Sequence, residues 1–434
     1  MGFIYADNYR GFVRQLIPLK QVNFMVGENS TGKSSVLDLL ELFGNRNFWL
    51  LQPDFILSDG NSKSFGDLVS AASKSKSRFT VAAWDSVDEN LSTHGIIVTY
   101  KSVNGIPGIS RVSYLRGQLQ FIIDLDNSSM DSNYLSVRRA INLKSGSTPD
   151  VFFNVLLRNH EAKAGFYSRP IPEGFEEAPL QIIMNALFYD KGDAEGGNKI
   201  SGGTVSMTMR IPRPFSMDFV NMAPIRALPR RTYDDSLGGF KRDGKHTPYL
   251  IKEMLGSSID FDKYISDFGK DSGLFKALEV KSYGKRPDSP FEVKINLGAK
   301  GLDMANVGLG VSQSLPLIVE MFSRRRNTCF AIQQPEVHLH PRAQAQFGSV
   351  IYTTAKNENK SFFVETHSDF TIDRFRFEIK RQKENVDSQI LFFTKNNGFN
   401  NVAAISIEKD GEISDKQPDA YREFFISETF GMMG

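Results

Sequence analysis

The chain has 434 residues, of which 40% are hydrophobic and 24% are charged, and its net charge is only +2. This length allows one large domain or two modest ones. No apolar run is long enough to cross a bilayer, and the N-terminus lacks the layout of a signal peptide. The single cysteine, Cys329, excludes an internal disulfide. We therefore expect a cytoplasmic protein without a membrane segment, in which any surface for nucleic acid is a local patch.

The first half of the chain predicts a short α/β start and then an antiparallel sheet. Strands are expected over Phe12–Leu19 and Val22–Val26, followed by a glycine loop and a helix over Ser35–Phe43. Helices at Pro149–Asn159 and Pro179–Tyr189 precede a glycine-rich segment that predicts a mobile loop, Asp190–Thr204. The antiparallel strands are expected at Phe79–Ala83, Gly95–Lys101, Ser110–Leu115 and Leu119–Leu125.

The second half alternates helical and strand patterns, which predicts a layered and mostly parallel α/β sheet. Helices are expected at Thr247–Leu255, Phe261–Phe268, Leu274–Leu278, Arg342–Ala355 and Phe370–Arg381, with another that begins near Ser312. Strands are expected at Val280–Tyr283, Glu292–Ile295, Thr328–Ile332, Ser361–Val364, Ile390–Thr394 and Val402–Ile407, followed by a tail at Phe424–Phe430. No stretch sustains a heptad pattern, so a long coiled-coil arm is not expected.

A phosphate-binding pattern follows the strand Val22–Val26. Residues 27–34, read as Gly-Glu-Asn-Ser-Thr-Gly-Lys-Ser, match G-x-x-x-x-G-K-[ST] and open a helix. Glycines let backbone N–H groups point at phosphate oxygens, and the helix N-terminus adds positive potential. In this pattern Lys33 reaches the β- and γ-phosphates, and the Ser34 hydroxyl binds Mg²⁺. The predicted site for ATP and Mg²⁺ consists of Gly27, Asn29, Ser30, Thr31, Gly32, Lys33, Ser34 and Ser35.

Three further motifs follow in chain order. A glycine-rich turn, Asn306–Ser314, opens a helix, and an apolar strand runs into Gln333–Pro341, which reads Gln-Gln-Pro-Glu-Val-His-Leu-His-Pro. Another apolar strand ends at Glu365–Ser368, which reads Glu-Thr-His-Ser. This order resembles the ABC-type ATPases of the SMC, RecF and OLD (overcoming-lysogenization-defect) group. Asn8–Phe12 and Pro224–Arg231 are similar to the same group, and the resemblance is weakest over roughly residues 60 to 215.

The resemblance implies a P-loop NTPase fold of the ABC-ATPase head type and gives roles to single residues. Gly310 and Ser312 resemble the signature motif, which contacts the γ-phosphate held by the opposite subunit, so a homodimer or higher oligomer is implied. His367 resembles the switch histidine that senses the γ-phosphate. Arg10 would lie near the adenine or ribose, or in an exposed salt bridge. Arg226, Arg230 and Arg231 would touch phosphate or DNA, or serve packing and the surface. His338 and His340 are structural in this group rather than metal ligands.

The sequence departs from the group where Mg²⁺ and water are usually bound. Gln333 and Gln334 stand where the group carries an acidic residue for Mg²⁺ and a glutamate for hydrolysis, the Walker B positions. An amide accepts no proton from water and coordinates Mg²⁺ less well than a carboxylate. Three explanations stay open: Glu336 or Glu365 supplies the charge, hydrolysis is very slow, or a glutamate was replaced to trap ATP. The expected catalytic residues are Gln333, Gln334, Glu336 and His367, with Ser34 and Gln333 as metal ligands.

The expected domains are an N-terminal part of the ATPase head (1–60), an antiparallel and helical insertion that could bind a partner (61–215), and the C-terminal part of the head (216–434). Only 66 residues follow Ser368, too few for the TOPRIM nuclease domain of OLD proteins. What remains resembles the compact ATPases of bacterial antiphage systems (Septu-like, PARIS-like or retron-associated). One hypothesis is an ATPase sensor and scaffold that holds a separate nuclease or toxin. The alternative is a RecF-like or SMC-like repair ATPase whose dimer closes on DNA.

Overall fold

The computed structural model describes residues 2–51, 53, 55–56, 61–73, 76–85, 94–126, 133–141, 148–170, 211–212, 214–234, 239–286, 288–298 and 301–423. The chain divides into two compact units. The first consists of Met1–Leu19, Ser34–Ser216 and Thr394–Val402. The second consists of Lys20–Lys33, Met217–Phe393 and Ala403–Gly434. Within the described ranges, no helix is long and apolar enough to span a bilayer.

The first unit is built on an eight-stranded antiparallel sheet of order β2-β1-β4-β5-β6-β7-β8-β9. Helix α4 (Pro149–Glu161) places Phe153 against Trp84, with ring centroids 4.6 Å apart. Short helices α2 and α3 cover Arg46–Trp49 and Phe65–Leu68. The strands are β1 (Gly2–Asp7), β2 (Gln15–Leu19), β4 (Arg78–Asp85), β5 (His94–Val103), β6 (Ile106–Arg116), β7 (Leu119–Asp124), β8 (Asn133–Ala140) and β9 (Tyr167–Pro170).

The second unit contains the parallel part of the fold. Its six-stranded sheet has the order β10-β14-β15-β3-β16-β17, and the first four neighbouring pairs are parallel. A small antiparallel sheet has the order β11-β12-β13. The strands of both sheets are β3 (Val22–Gly27), β10 (Asp218–Met222), β11 (Ala277–Ser282), β12 (Phe291–Asn296), β13 (Gly301–Asp303), β14 (Thr328–Gln333), β15 (Ser361–Glu365), β16 (Ser388–Asn396) and β17 (Phe399–Ile407).

Helices connect the parallel strands. Helix α1 (Lys33–Gly44) follows β3, and α8 (Pro341–Glu358) and α9 (Asp369–Gln382) flank β15 in the chain. Helices α8 and α9 approach closely at Gly348, where a Cβ would lie 2.3 Å from the Thr371 carbonyl oxygen. The remaining helices are α5 (Thr247–Met254), α6 (Ile259–Ser272), α7 (Leu309–Ser323), α8 (Pro341–Glu358) and α9 (Asp369–Gln382). The expected α/β class, with a mostly parallel sheet and an antiparallel β region, is therefore confirmed.

Several local predictions were wrong. The helix expected at Leu274–Leu278 is not formed, because Ala277 and Leu278 already pair with β12 at the start of β11. The first expected strand begins late, at Gln15, because Phe12 closes a tight turn with Tyr9 through two backbone hydrogen bonds. Strands β1, β8, β9, β10 and β13 were not predicted. The elements expected at Pro179–Tyr189, Asp190–Thr204 and Phe424–Phe430 lie outside the described residues.

Candidate functional site

The phosphate loop has a backbone that its glycines make possible. Gly27 and Gly32 have φ angles of +142° and +100°, and Ser30 lies at +63°. A Cβ on Gly27 would lie 2.2 Å from the Phe393 carbonyl oxygen, so no larger residue fits there without displacing that strand. The Thr31 hydroxyl donates to the Glu28 carbonyl at 2.7 Å and closes the loop. This strand–glycine loop–helix unit beside a parallel sheet is the arrangement of a P-loop NTPase.

Lys33 is folded into the loop that it ends. The residue is 4% exposed, and its ammonium donates to the Gly27 and Glu28 carbonyl oxygens, each at 2.7 Å. Burial lowers the pKa of Lys33, while Glu365 and Glu28 oppose that shift. Ser34, which follows in the first turn of α1, has an exposed side chain, as do Asn29 and Ser30 in the loop. The loop therefore presents one buried cation and several free polar groups.

The neighbouring strand ends converge on this loop. Strand β15 lies between β14 and β3 and is parallel to both. Gln333, the last residue of β14, pairs in register with Glu365, the last residue of β15. Glu365 in turn pairs with Met25, two residues before Gly27. Because carboxyl ends of parallel strands meet at one edge of a sheet, the predicted Walker B position lies one strand farther from the loop than Glu365 does.

Two carboxylates lie at this edge with unused oxygen atoms. Glu336 accepts a hydrogen bond at Oε1 from the His367 backbone N–H at 2.7 Å. Its Oε2 and the Oε2 of Glu365 are both buried without a hydrogen-bond partner. Burial raises the pKa of Glu365, Lys33 lowers it, and Glu336 adds to the increase. Buried polar atoms are normally paired, so these two oxygens are candidates for binding a cation or a hydrogen-bond donor.

His367 lies just beyond the end of β15, where the predicted switch histidine should be. Burial lowers its pKa, Lys33 adds to that effect, and Glu336 opposes it. The imidazole is therefore neutral near pH 7 and can accept or donate a hydrogen bond. Ser368 then caps α9 by accepting from the Thr371 N–H, which fixes the turn that carries the histidine.

Gln333 and Gln334 are held in place by hydrogen bonds to their backbone atoms. Gln334 has a φ of +44°, and its N–H donates to the Glu365 carbonyl at 2.8 Å. Arg226 is 1% exposed and donates from Nη2 to the Gln333 carbonyl at 2.8 Å. Its burial lowers the pKa of the guanidinium to about 10, and Glu336 opposes that shift. Of the alternatives for this arginine, packing is therefore the one that the structure favours, whereas Arg230 is exposed.

The predicted signature turn begins α7. The Ser312 hydroxyl donates to the Leu309 carbonyl at 3.1 Å, and the residue is 1% exposed. Gln313 accepts from the Arg226 N–H at 3.1 Å and donates to the Arg226 carbonyl at 3.3 Å. A Cβ on Gly310 would lie 2.9 Å from the His338 carbonyl oxygen, so this turn packs on the Leu-His-Pro turn. A groove of about 460 Å³ in this unit is lined by Ser312, Arg226, Arg230, Lys245 and Tyr249.

Arg10 belongs to the first unit and forms an ion pair there. Its Nη1 donates to Asp38 Oδ2 at 2.6 Å and to Ser35 Oγ at 3.3 Å. This matches the salt-bridge alternative weighed from the sequence, although the bridge is half-buried rather than exposed. A role at the adenine or ribose stays a prediction, as do the nucleotide-binding roles of the other loop residues.

Sequence reasoning missed the link between Arg226 and Gln313. The two residues are 87 positions apart, and neither an arginine nor a glutamine in a sequence predicts hydrogen bonds between a side chain and a distant backbone. Glu365 was named only as one possible source of charge. The signal for it was its place directly before Thr366 and His367 at the end of an apolar strand, together with the missing acid on β14.

Solved structures of SMC head domains match this chain at low sequence identity. The SMC head bound to the C-winged helix domain of ScpA has 14% identity, 94% and 98% coverage of this and that chain, and a TM-score of 0.44. The SMC head domain from Thermotoga maritima has 12% identity and a TM-score of 0.40, and the match covers 93% of this chain and 98% of that chain. A third match is the SMC head domain from Pyrococcus furiosus with an extended coiled coil, bound to the C-terminal domain of ScpA. It has 14% identity and a TM-score of 0.42, and the match covers 94% of this chain and 98% of that chain. Likeness at these TM-scores carries no argument about function.

No curated protein matches the chain at a significant level. One family profile does match: AAA_15, the AAA ATPase domain, over residues 241–372. This segment contains the signature turn, both glutamines, Glu336 and the Glu-Thr-His-Ser motif, which are the features that the sequence placed in an ATPase. The match to the AAA ATPase domain profile is thus confined to residues 241–372 of the 434-residue chain.

Proposed function

We propose that this chain binds ATP and Mg²⁺ at the phosphate loop and hydrolyses ATP slowly. The conformation of Gly27–Lys33 carries the proposal, because positive φ angles at both glycines and a buried lysine are what a phosphate cradle requires. Residues at the loop fit the ligand, since buried Glu336 and Glu365 oxygens lack a partner. When bound, Mg²⁺ neutralises charge on the phosphates.

Each residue of the chain then has a definite task. Lys33 exchanges its two loop carbonyls for phosphate oxygens, and the exposed Ser34 hydroxyl is available to the cation. His367, neutral near pH 7, holds the γ-phosphate or the attacking water by a hydrogen bond. Glu336 fixes the His367 backbone. Gln333 and Gln334 orient groups but accept no proton, which is the physical reason for slow turnover.

We further propose that two copies join head to head around ATP. Ser312 lies on a groove beside Arg230 and Lys245, a positive lining that suits the triphosphate of an opposite subunit. Apolar side chains of the same unit are exposed: Ile225 at 82%, Leu228 at 73% and Leu309 at 44%. These exposed apolar side chains lie within Pro224–Arg231 and Asn306–Ser314, which supports a surface for contact with a second copy of the chain.

In the cell, we propose that this ATP-held dimer is a sensor and scaffold in antiphage defence. It would control a separate nuclease or toxin, and residues 61–215 would bind that effector. The alternative, a DNA-binding repair ATPase of the RecF or SMC kind, predicts duplex binding that weakens steeply with salt. Co-purification of a defined stoichiometric effector, without such DNA binding, would favour the defence role.

The test of ATP binding and dimerisation measures solution mass with and without ATP–Mg²⁺ and follows phosphate release in the same sample. A larger, long-lived species with little phosphate supports the proposal. The Lys33→Ala variant should stay at the smaller mass with ATP. Rapid phosphate release at unchanged mass would contradict both the slow turnover and the role of Ser312.

A further inference from the structure

The end of β15 carries a charge that the end of β14 lacks. Gln333 and Glu365 are register partners on adjacent parallel strands, so their side chains leave the same face of the sheet about 5 Å apart. Glu365 is on the strand next to the phosphate loop. A carboxylate is therefore present one strand nearer to the phosphate loop than Gln333.

Glu365 is a buried carboxyl group with one unpaired oxygen. The residue is 8% exposed, and its Oε2 is fully buried without a hydrogen-bond partner. The charged groups that act on it are Lys33 and Glu336. Glu336 has a second unpaired buried oxygen, while its other oxygen is held by the His367 N–H. Two nearby carboxylates that each have a buried, unpaired oxygen favour a cation in addition to Lys33, which already bonds two carbonyls.

We propose that Glu365 and Glu336 together hold the divalent cation of the nucleotide site, in place of the acidic residues missing from β14. This inference rests on the proposed binding of ATP. One or two carboxylates suffice for Mg²⁺, because phosphate oxygens and water complete its octahedron. Glu365 is the principal ligand because it lies nearest the loop, and Glu336 is fixed in place by the backbone of the switch histidine.

The experiment measures ATP affinity by isothermal titration in Mg²⁺ and in EDTA, without turnover. In wild-type protein, Mg²⁺ should strengthen ATP binding. In Glu365→Gln, the ratio of the ATP affinity in Mg²⁺ to the ATP affinity in EDTA should fall by roughly tenfold or more. Binding in EDTA should be unchanged or tighter, because a negative charge beside the triphosphate has been removed. Damage to the fold would weaken binding in both conditions, so the opposite signs identify a cation ligand.

Two further variants sharpen the result. Glu253→Gln, an exposed carboxylate on α5, makes the same charge change and should leave both affinities as in wild type. In the double variant Glu365→Gln with Gln333→Glu, the charge returns to the neighbouring strand, and the Mg²⁺ gain should reappear.

The inference and the proposed function fail in different ways. If wild-type protein binds no ATP in either condition, the proposed function is wrong and the inference falls with it. If wild type binds ATP with a Mg²⁺ gain that Glu365→Gln fully retains, only the inference is overturned. It is also overturned if Glu365→Gln loses binding in EDTA, because Glu365 would then support the loop rather than a cation.

Discussion

Lowering the pH should destabilise the first unit through His160. This histidine, on α4, is 2% exposed; its ring bonds Thr99 Oγ1 at 2.9 Å and Ser113 Oγ at 2.6 Å. Burial lowers its pKa to about 3, and the nearby Arg111 adds to the effect. The folded state therefore keeps His160 neutral, whereas the unfolded chain takes up a proton below about pH 6.5. Stability from this group is complete above that pH and is lost as the pH falls toward 3.

The magnitude follows from proton linkage. Below pH 6.5 one group contributes about 1.4 kcal/mol per pH unit, so between pH 7 and pH 5 the free energy of unfolding should fall by about 2 kcal/mol. Urea unfolding followed by tryptophan fluorescence measures it, because both tryptophans of the chain, Trp49 and Trp84, are buried in this unit. His160→Gln is the matched control, since an amide can bond both hydroxyls and does not titrate.

The contribution of His160 is the difference between the two pH profiles. Wild-type protein should lose about 2 kcal/mol more than His160→Gln over this range. Equal losses would refute the reasoning, because they would mean that the imidazole is protonated in the fold or already neutral in the unfolded chain.

Two further changes test the second unit, with urea unfolding followed by circular dichroism as the measurement. Gly310→Ala should cost about 1–3 kcal/mol, because its Cβ would lie 2.9 Å from a backbone oxygen, whereas Gly308→Ala, with no neighbour within 4 Å, should be nearly neutral; equal costs would contradict the packing of this turn. Glu320→Gln should cost about 2 kcal/mol, because Glu320 is a buried partner of His246. Asp218→Asn, which breaks an exposed pair, should cost under about 1 kcal/mol, and a similar cost for both would refute the assigned role of burial.

The sequence was most informative where one local pattern decides the structure. The phosphate loop and the helix that begins at Lys33 could be predicted because the glycines, the lysine and the apolar strand are consecutive. The helix expected at Leu274–Leu278 failed because a helical spacing of apolar residues was overridden by pairing with β12. That pairing joins residues distant in the chain, which no local pattern records.

The candidate site could be predicted only in part for the same reason. The positions of Gln333 and His367 followed from motifs at strand ends. The buried oxygens of Glu336 and Glu365 depend on which strands are neighbours and on what fills the space between them. The sequence shows that a carboxylate is present, but it does not show whether each carboxylate oxygen has a hydrogen-bond partner.

Hydrogen bonds of Arg226 link the glycine-rich turn that begins α7 to the end of β14. The Gln313 side chain accepts from the Arg226 N–H and donates to the Arg226 carbonyl, and the Arg226 guanidinium donates to the carbonyl of Gln333, the last residue of β14. A rotation of α7 that kept those bonds intact would displace the backbone of Gln333, which pairs with Glu365 on the neighbouring strand. In the proposed dimer, a contact at the turn that begins α7 would therefore also alter the strand end beside the proposed nucleotide site of the same subunit.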